Sequence, residues 1–196
     1  MKYVLASNNK DKMVEMKRIL EGIDIISQSE AGLHLEVEET GTTFAENALL
    51  KAKAACDALN MPAIADDSGI CVDALGGAPG VYSARYGGEG LDDVGRLNLL
   101  LKNMENEENR AAKFVCSIAC VMPNGDVITA DGEVHGVLLR EPRGSGGFGY
   151  DPIFYVPELG VTTAEMTMED KNKISHRGRA LRAFKEKLNL YLENKL

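Results

Sequence analysis

Five carboxylates are spaced so that they could do chemistry together: Glu36, Glu38, Glu39, Asp66 and Asp67. Asp66 and Asp67 open the run Asp66-Asp67-Ser68-Gly69, bounded by the apolar triplets 63–65 and 70–72. Two short strands flanking such a run would hold its acids at the end of a sheet. Magnesium asks for a few carboxylates and completes its shell with water and phosphate oxygens. A carboxylate there could equally serve as general base toward water. The same four residues are also good β-turn formers, so a plain polar turn is the competing reading. Residues 35–38 alternate Leu-Glu-Val-Glu as a strand would. On that strand Glu38 shares the polar face with Glu36 and Glu39 falls at its end, which favours Glu38 as partner of Asp67.

Three further segments carry chemically useful residue types. Ser7, Asn8, Asn9, Lys10, Asp11 and Lys12 lie between an apolar run at 2–6 and a helical pattern marked by Met13, Met16, Ile19 and Leu20. A strand–loop–helix junction of that kind offers free N–H groups and the positive end of a helix dipole to an anion. An ordinary helix cap with solvated lysines explains the same residues. A G-x-x-x-x-G-K-[ST] phosphate loop does not occur in the chain.

Residues 144–149 (GSGGFG) match G-x-G-x-x-G letter for letter, but they lead into a strand at 153–156, whereas the dinucleotide-binding pattern opens a helix. Glycines still allow close backbone approach to a flat ligand. Phe148 and Tyr150 would add aromatic surface for a stacked base, Gly149 lies between them, and Asp151 adds an acceptor. Arg140 and Arg143 lie nearby, and a surface loop is the alternative. Lys171 and the run Ser175-His176-Arg177-Gly178 precede the last helix. Arg177 in a first helical turn opposes the helix dipole, which makes sense if an acidic or polar group lies opposite. His34 and His135 have no comparable setting.

The elements that must position these residues follow from periodicity. A helix starts at Thr43, with Glu46 completing a capping-box pattern, and Ala45, Ala48, Leu49, Ala52, Ala55, Cys56 and Leu59 trace its apolar face until Pro62. Residues 75–90 are glycine-rich and irregular, and a helix spans about 92–104. Two β-rich runs, 113–122 and 127–139, are joined through Asn124-Gly125, a strong hairpin signal. The last helix buries Leu181, Phe184, Leu188 and Tyr191. The expected fold is α/β with a mixed, twisted sheet and flanking helices.

Composition narrows the function classes. With 196 residues, 44% hydrophobic and 27% charged, the chain suits one large domain or two closely joined lobes sharing a core. Cys56, Cys71, Cys116 and Cys120 lack metal or disulfide spacing and suit apolar surroundings, Cys116 and Cys120 on one strand face. A net charge of −8 disfavours a nucleic-acid partner. The absence of a membrane-length apolar run or a signal-peptide core makes a cytoplasmic location the expectation, with no membrane partner.

In this order the motifs closely resemble those of the inosine triphosphate pyrophosphatases, enzymes for non-canonical purine nucleoside triphosphates. The resemblance runs nearly end to end. It rests on residues 7–12, 38–44 (EETGTTF), 65–69 (ADDSG), 75–86 (LGGAPGVYSARY), 146–152 (GGFGYDP) and 175–178 (SHRG). It implies two lobes with a substrate cleft between them, a homodimer, and magnesium-dependent hydrolysis of ITP, dITP and XTP to the monophosphate and pyrophosphate. Residue by residue, it implies that residues 7–12 hold the triphosphate, with Lys12 the chief cation. Asp67 would be catalytic base and metal ligand, with Glu38 the second ligand, and Ser68 would touch the substrate. Phe148, Gly149, Tyr150, Asp151, Lys171, His176 and Arg177 would grip base and sugar. Members often have threonine-glycine where this chain has Ser7-Asn8. Residues 75–86 are the candidate dimer interface. Two rival readings are a pyrophosphatase for pyrimidine triphosphates and a nucleotide-binding module without turnover.

Overall fold

A computed structural model describes residues 1–195. Seven strands form one open mixed sheet in the order β2-β1-β3-β4-β5-β6-β7. They are β1 (Lys2–Leu5), β2 (Asp24–Ser27), β3 (Ala63–Val72), β4 (Ala111–Val121), β5 (Val127–Leu138), β6 (Phe154–Val156) and β7 (Val161–Thr162). β1 pairs in parallel with β2 and β3, and β6 pairs antiparallel with β5 and β7. The helices are α1 (Lys10–Ile19), α2 (Phe44–Leu59), α3 (Asp93–Asn103), α4 (Met168–Ile174) and α5 (His176–Glu193). No helix among the described residues is long and apolar enough to cross a membrane.

The chain divides into two compact units. The first comprises residues 1–67, 116–132 and 176–196, and the second residues 68–115 and 133–175. In the first unit, strand alternation sends side chains to two separate cores. Tyr3, Leu5, Ile64, Cys116, Ile118 and Cys120 meet α1 and α5 on one face, with Phe184 and Leu188 sealed against them. Val4, Ala6, Ala63, Ala65, Ala119 and Val121 meet the small residues Ala48, Ala52 and Ala55 of α2 on the other. In the second unit Ile70, Val72, Leu97, Leu100, Phe114, Val134 and Phe154 form the core, and the rings of Phe114 and Phe154 lie 4.3 Å apart.

Several expectations needed correction. Residues 35–38 form no strand; alternation alone does not make one when no neighbour supplies a ladder. Residues 63–72 are a single ten-residue strand rather than two short ones around a turn. Asp66 and Asp67 are accommodated inside it because cations meet them on either face. β2, β7 and α4, four, two and seven residues long, were not legible beforehand. On α2, Ala45 and Leu49 are exposed while the polar Asn47 is fully buried.

Candidate active site

β3 runs beyond the carboxyl end of its parallel neighbour β1, whose last partnered residue, Leu5, sits opposite Ile64. Asp66 and Asp67 therefore stand where β1 has ended and the 7–12 loop begins. Ligands of open α/β sheets bind at such carboxyl ends. The loop is built by its own polar groups: Ser7 Oγ accepts the Asn9 N–H at 3.2 Å, and Asn9 caps α1 by accepting the Lys12 N–H at 3.1 Å. Lys10 and Asp11 point to solvent, and Ser7 and Lys12 are half-buried.

The period of two sends the paired aspartates to opposite faces. Asp66 follows Ile64 toward α1 and α5, where Lys12 Nζ lies 3.1 Å and Arg177 Nε 3.7 Å from its Oδ2. Arg177 is 2% exposed, and its Nη1 donates to Glu15 Oε2 at 2.5 Å. Burial would push the Asp66 carboxyl up, but Lys12, Arg177 and Lys51 reverse this and hold it below its ordinary range. Cys116 Sγ approaches the same carboxylate at 4.0 Å, and burial beside that charge pushes its thiol up to about 12.

Asp67 follows Ala65 toward α2. Lys51, on α2, places Nζ 3.7 Å from Asp67 Oδ1 and 3.6 Å from Glu39 Oε2. Asp67 Oδ2 is buried and has no hydrogen-bond partner among the described residues. Burial raises the Asp67 carboxyl to about 6; Lys51 opposes the rise, and Glu39 and Asp66 add to it. Glu39 is brought into position from below by a second buried group. Asn47 Oδ1 accepts the Gly41 N–H at 2.8 Å, and a Cβ on Gly41 would come within 2.6 Å of that oxygen. Thr43 caps α2 through the Glu46 N–H, while the Glu46 carboxylate turns to the Thr42 N–H and hydroxyl.

In the second unit the glycine loop is organised around Asp151. Its carboxylate accepts the Phe148 N–H at 3.0 Å, the Thr163 hydroxyl at 2.8 Å and Lys171 Nζ at 2.7 Å, all but sealed from solvent. Lys171 Nζ also lies 4.8 Å over the Phe148 ring. Gly147 has φ +66°, and a Cβ there would overlap Asp151 Oδ2, so both its freedom and its lack of a side chain are required. Gly149 donates its N–H to Asp93 Oδ2 at 3.2 Å. The Tyr150 hydroxyl donates to the Ser83 carbonyl at 2.6 Å, and Ser83 Oγ accepts the Ile70 N–H, so residues 80–85 tie the loop to β3.

Residues 3–187 match the Ham1 family. The chain belongs to that family. A dITP/XTP pyrophosphatase of Desulforamulus reducens is 51% identical over 201 residues, covering all of both chains. A dITP/XTP pyrophosphatase of Staphylococcus epidermidis is 51% identical over 94% of this chain and 95% of its own. The solved structure of the Staphylococcus aureus Ham1 protein superposes with a TM-score of 0.87 at 44% identity, covering all of both chains.

Within this Ham1-family fold, the residues singled out in the sequence are distributed over both units. Lys12 and Asp67 belong to the charged group at the end of β1. Glu38 is exposed, and Glu39 is the acid beside Lys51, because the chain here is not the strand whose alternation placed Glu38. Phe148, Tyr150, Asp151 and Lys171 assemble as one group, with Asp151 and Lys171 committed to each other. Ser68 is half-buried on β3, and His176 is buried at the start of α5. The acidic groups that Arg177 demanded are supplied by the protein itself, as Glu15 and Asp66. Lys51, Glu15 and Asn47 were missed. Lys51 and Asn47 sit on a helix whose apolar pattern drew attention elsewhere, and only a polar residue inside that pattern, Asn47, left a signal.

Proposed function

We propose that this chain hydrolyses purine nucleoside triphosphates carrying a deaminated base, ITP, dITP and XTP, to the monophosphate and pyrophosphate, and so removes them from the nucleotide pool. One observation carries this reading: the chain is half identical, from end to end, to proteins named dITP/XTP pyrophosphatase. The charged group at the end of β1 gives the reading a chemical basis.

That group fits a divalent cation such as magnesium. Among the described residues no cluster of three acidic, histidine or cysteine side chains forms a metal cage. Magnesium needs none when phosphate oxygens and water complete its shell. Asp67 offers a buried oxygen without a partner, and Glu39 offers a second carboxylate across Lys51. Asp67 and Glu39 would hold the ion, in place of the Asp67–Glu38 pair, and it would supply charge neutralisation for the phosphates.

The chain's own residues supply the rest. Water attacks the α-phosphorus, its proton passes to the Asp67 carboxylate, and the bond between the α-phosphorus and the bridging oxygen breaks to release pyrophosphate. Lys12, held in place by Asp66, faces the triphosphate with Ser7, Asn8, Asn9, Lys10 and Asp11 and offsets the charge of the departing group. Ser68 touches the substrate. Phe148 and the backbone of Gly149 would meet the base on a surface that Tyr150, Asp151 and Lys171 fix, whereas Arg177, sealed against Glu15 and Asp66, would serve by holding Asp66. A 6-oxo purine is favoured when N–H donors face O6, because adenine's amino group leaves them unpaired.

The chain is read as a single domain acting in the cytoplasm, as a homodimer through residues 75–86, where Tyr82 lies exposed. A monomer by light scattering would remove that interface. Pyrophosphate release from ITP, XTP, GTP, ATP and dTTP, with magnesium and with chelator, tests the activity. Magnesium-dependent release from ITP and XTP with the others slow is the expected result. Preference for dTTP would overturn the substrate class, and tight binding without release would make the chain a binding module.

A further inference from the structure

Glu39 lies on a stretch with no regular structure: residues 33–42 belong to neither helix nor strand. A chain segment of this kind keeps about 1–2 kcal/mol of conformational freedom per residue unless something removes it. Glu36, Glu38 and Glu39 also repel one another. A carboxylate so placed can face Asp67 reproducibly only if the segment is fixed at both ends. Its downstream end is fixed by Asn47, through the Gly41 N–H.

The upstream end is fixed by two amides. Gln28 is buried, and its backbone N–H donates to the Leu5 carbonyl at 3.2 Å, rooting it at the end of β1. Its Nε2 donates to Asn8 Oδ1 and lies 3.4 Å from the Leu35 carbonyl. Asn8 Nδ2 reaches the same carbonyl at 3.5 Å. The Gln28 carbonyl accepts the Leu33 N–H at 2.8 Å. Asn8, Gln28 and Leu35 thus close a small ring of amide groups between the 7–12 loop and the acidic segment. A glycine at position 8 has no side chain with which to join that ring.

We propose that Asn8 and Gln28 act together as a positioning clamp. By gripping the Leu35 carbonyl they hold residues 36–40 against the loop at the end of β1 and keep the Glu39 carboxylate in place beside Lys51 and Asp67. Because Asn8 belongs to the loop read as the phosphate site, ordering that loop also orders the acidic segment, so anion binding and cation binding favour each other. This coupling rests on the functional reading above; the clamp itself does not.

Hydrogen exchange of the full-length, metal-free protein tests the clamp directly, in Asn8→Gly, Gln28→Ala and the double variant. The amides of Leu33 and Thr40, whose N–H groups donate to the Gln28 and Glu38 carbonyls, should exchange up to about tenfold faster in either single variant, the weight of one hydrogen bond. Amides of α2 and β3 should stay as protected as in the wild type, which shows that the fold is intact. The double variant, which removes both donors to the Leu35 carbonyl, should exchange faster than either single one but by less than the product of their effects, because the Gln28–Asn8 bond is already lost in each. In turnover assays Gln28→Ala should raise the half-saturating magnesium concentration about three- to tenfold and leave kcat at saturating magnesium within about twofold. Unchanged exchange in both single variants, or additive effects in the double variant, would overturn the clamp even if the wild type hydrolyses ITP. Faster exchange supports it even if the wild type releases no pyrophosphate, an outcome that counts against the functional reading alone.

Discussion

Arg177 Nε lies 3.7 Å from Asp66 Oδ2, with both side chains all but sealed from solvent. A guanidinium and a carboxylate cannot be buried separately without a cost of several kcal/mol each. Here Glu15 and Lys12 complete the charge balance. The group is therefore a scaffold as much as a binding feature, and it leaves Lys12 as the member of the group with some exposure to solvent.

Removing one member of this scaffold should be felt as stability. Arg177→Met takes the guanidinium away from buried Glu15 and leaves Asp66 to Lys12, so urea unfolding should show a loss of about 3–5 kcal/mol. The triple variant that also carries Glu15→Gln and Asp66→Asn should recover part of it.

The two candidate glutamates separate cleanly. Glu39→Gln should lower magnesium-dependent pyrophosphate release at least about tenfold, the scale for lost metal-site partners. Glu38→Gln, altering an exposed side chain, should stay within about twofold. A stronger effect at Glu38 would restore the assignment that strand alternation favours.

Asp67 should trade stability for function. Its carboxyl is raised to about 6 in the folded protein against an ordinary value near 3.8, so the folded state binds its proton more tightly than the unfolded state does. Stability from this group is fully present below about pH 3.8 and is lost as pH rises through about 6. In chelator at pH 8, Asp67→Asn should therefore be more stable than the wild type, by up to about 3 kcal/mol. The gap should close below about pH 4, as thermal melts across the pH range would show. Turnover of the same variant should be nearly abolished.

Asp151 holds its loop through three donors, so Asp151→Asn should weaken the whole arrangement. It removes the charge opposite buried Lys171, costing about 3–5 kcal/mol, and exchanges an acceptor oxygen for an amide. We expect KM for ITP to rise more than kcat falls, since the loop positions Phe148 and does not touch the reacting phosphorus. Equal losses in both parameters would contradict that division.

Much of this was legible in the sequence because it depends on local rules. Thr43 is a cap because its hydroxyl reaches the Glu46 N–H three residues on. Asn124-Gly125 closes a turn because glycine tolerates φ +89°. Lys12 and Asp67 were identifiable as reactive types in a recognisable order of motifs. What the tertiary structure alone decided is which charges meet. Strand alternation sends Asp66 to Arg177 and Asp67 to Lys51, but the helices waiting on either face come from distant parts of the chain, and no sequence spacing encodes that. The same reason sets Glu39 rather than Glu38 beside Lys51. The alternation of residues 35–38 is real, but without a neighbouring strand it sets no face, and the clamps at Leu35 and Gly41 determine which carboxylate turns inward.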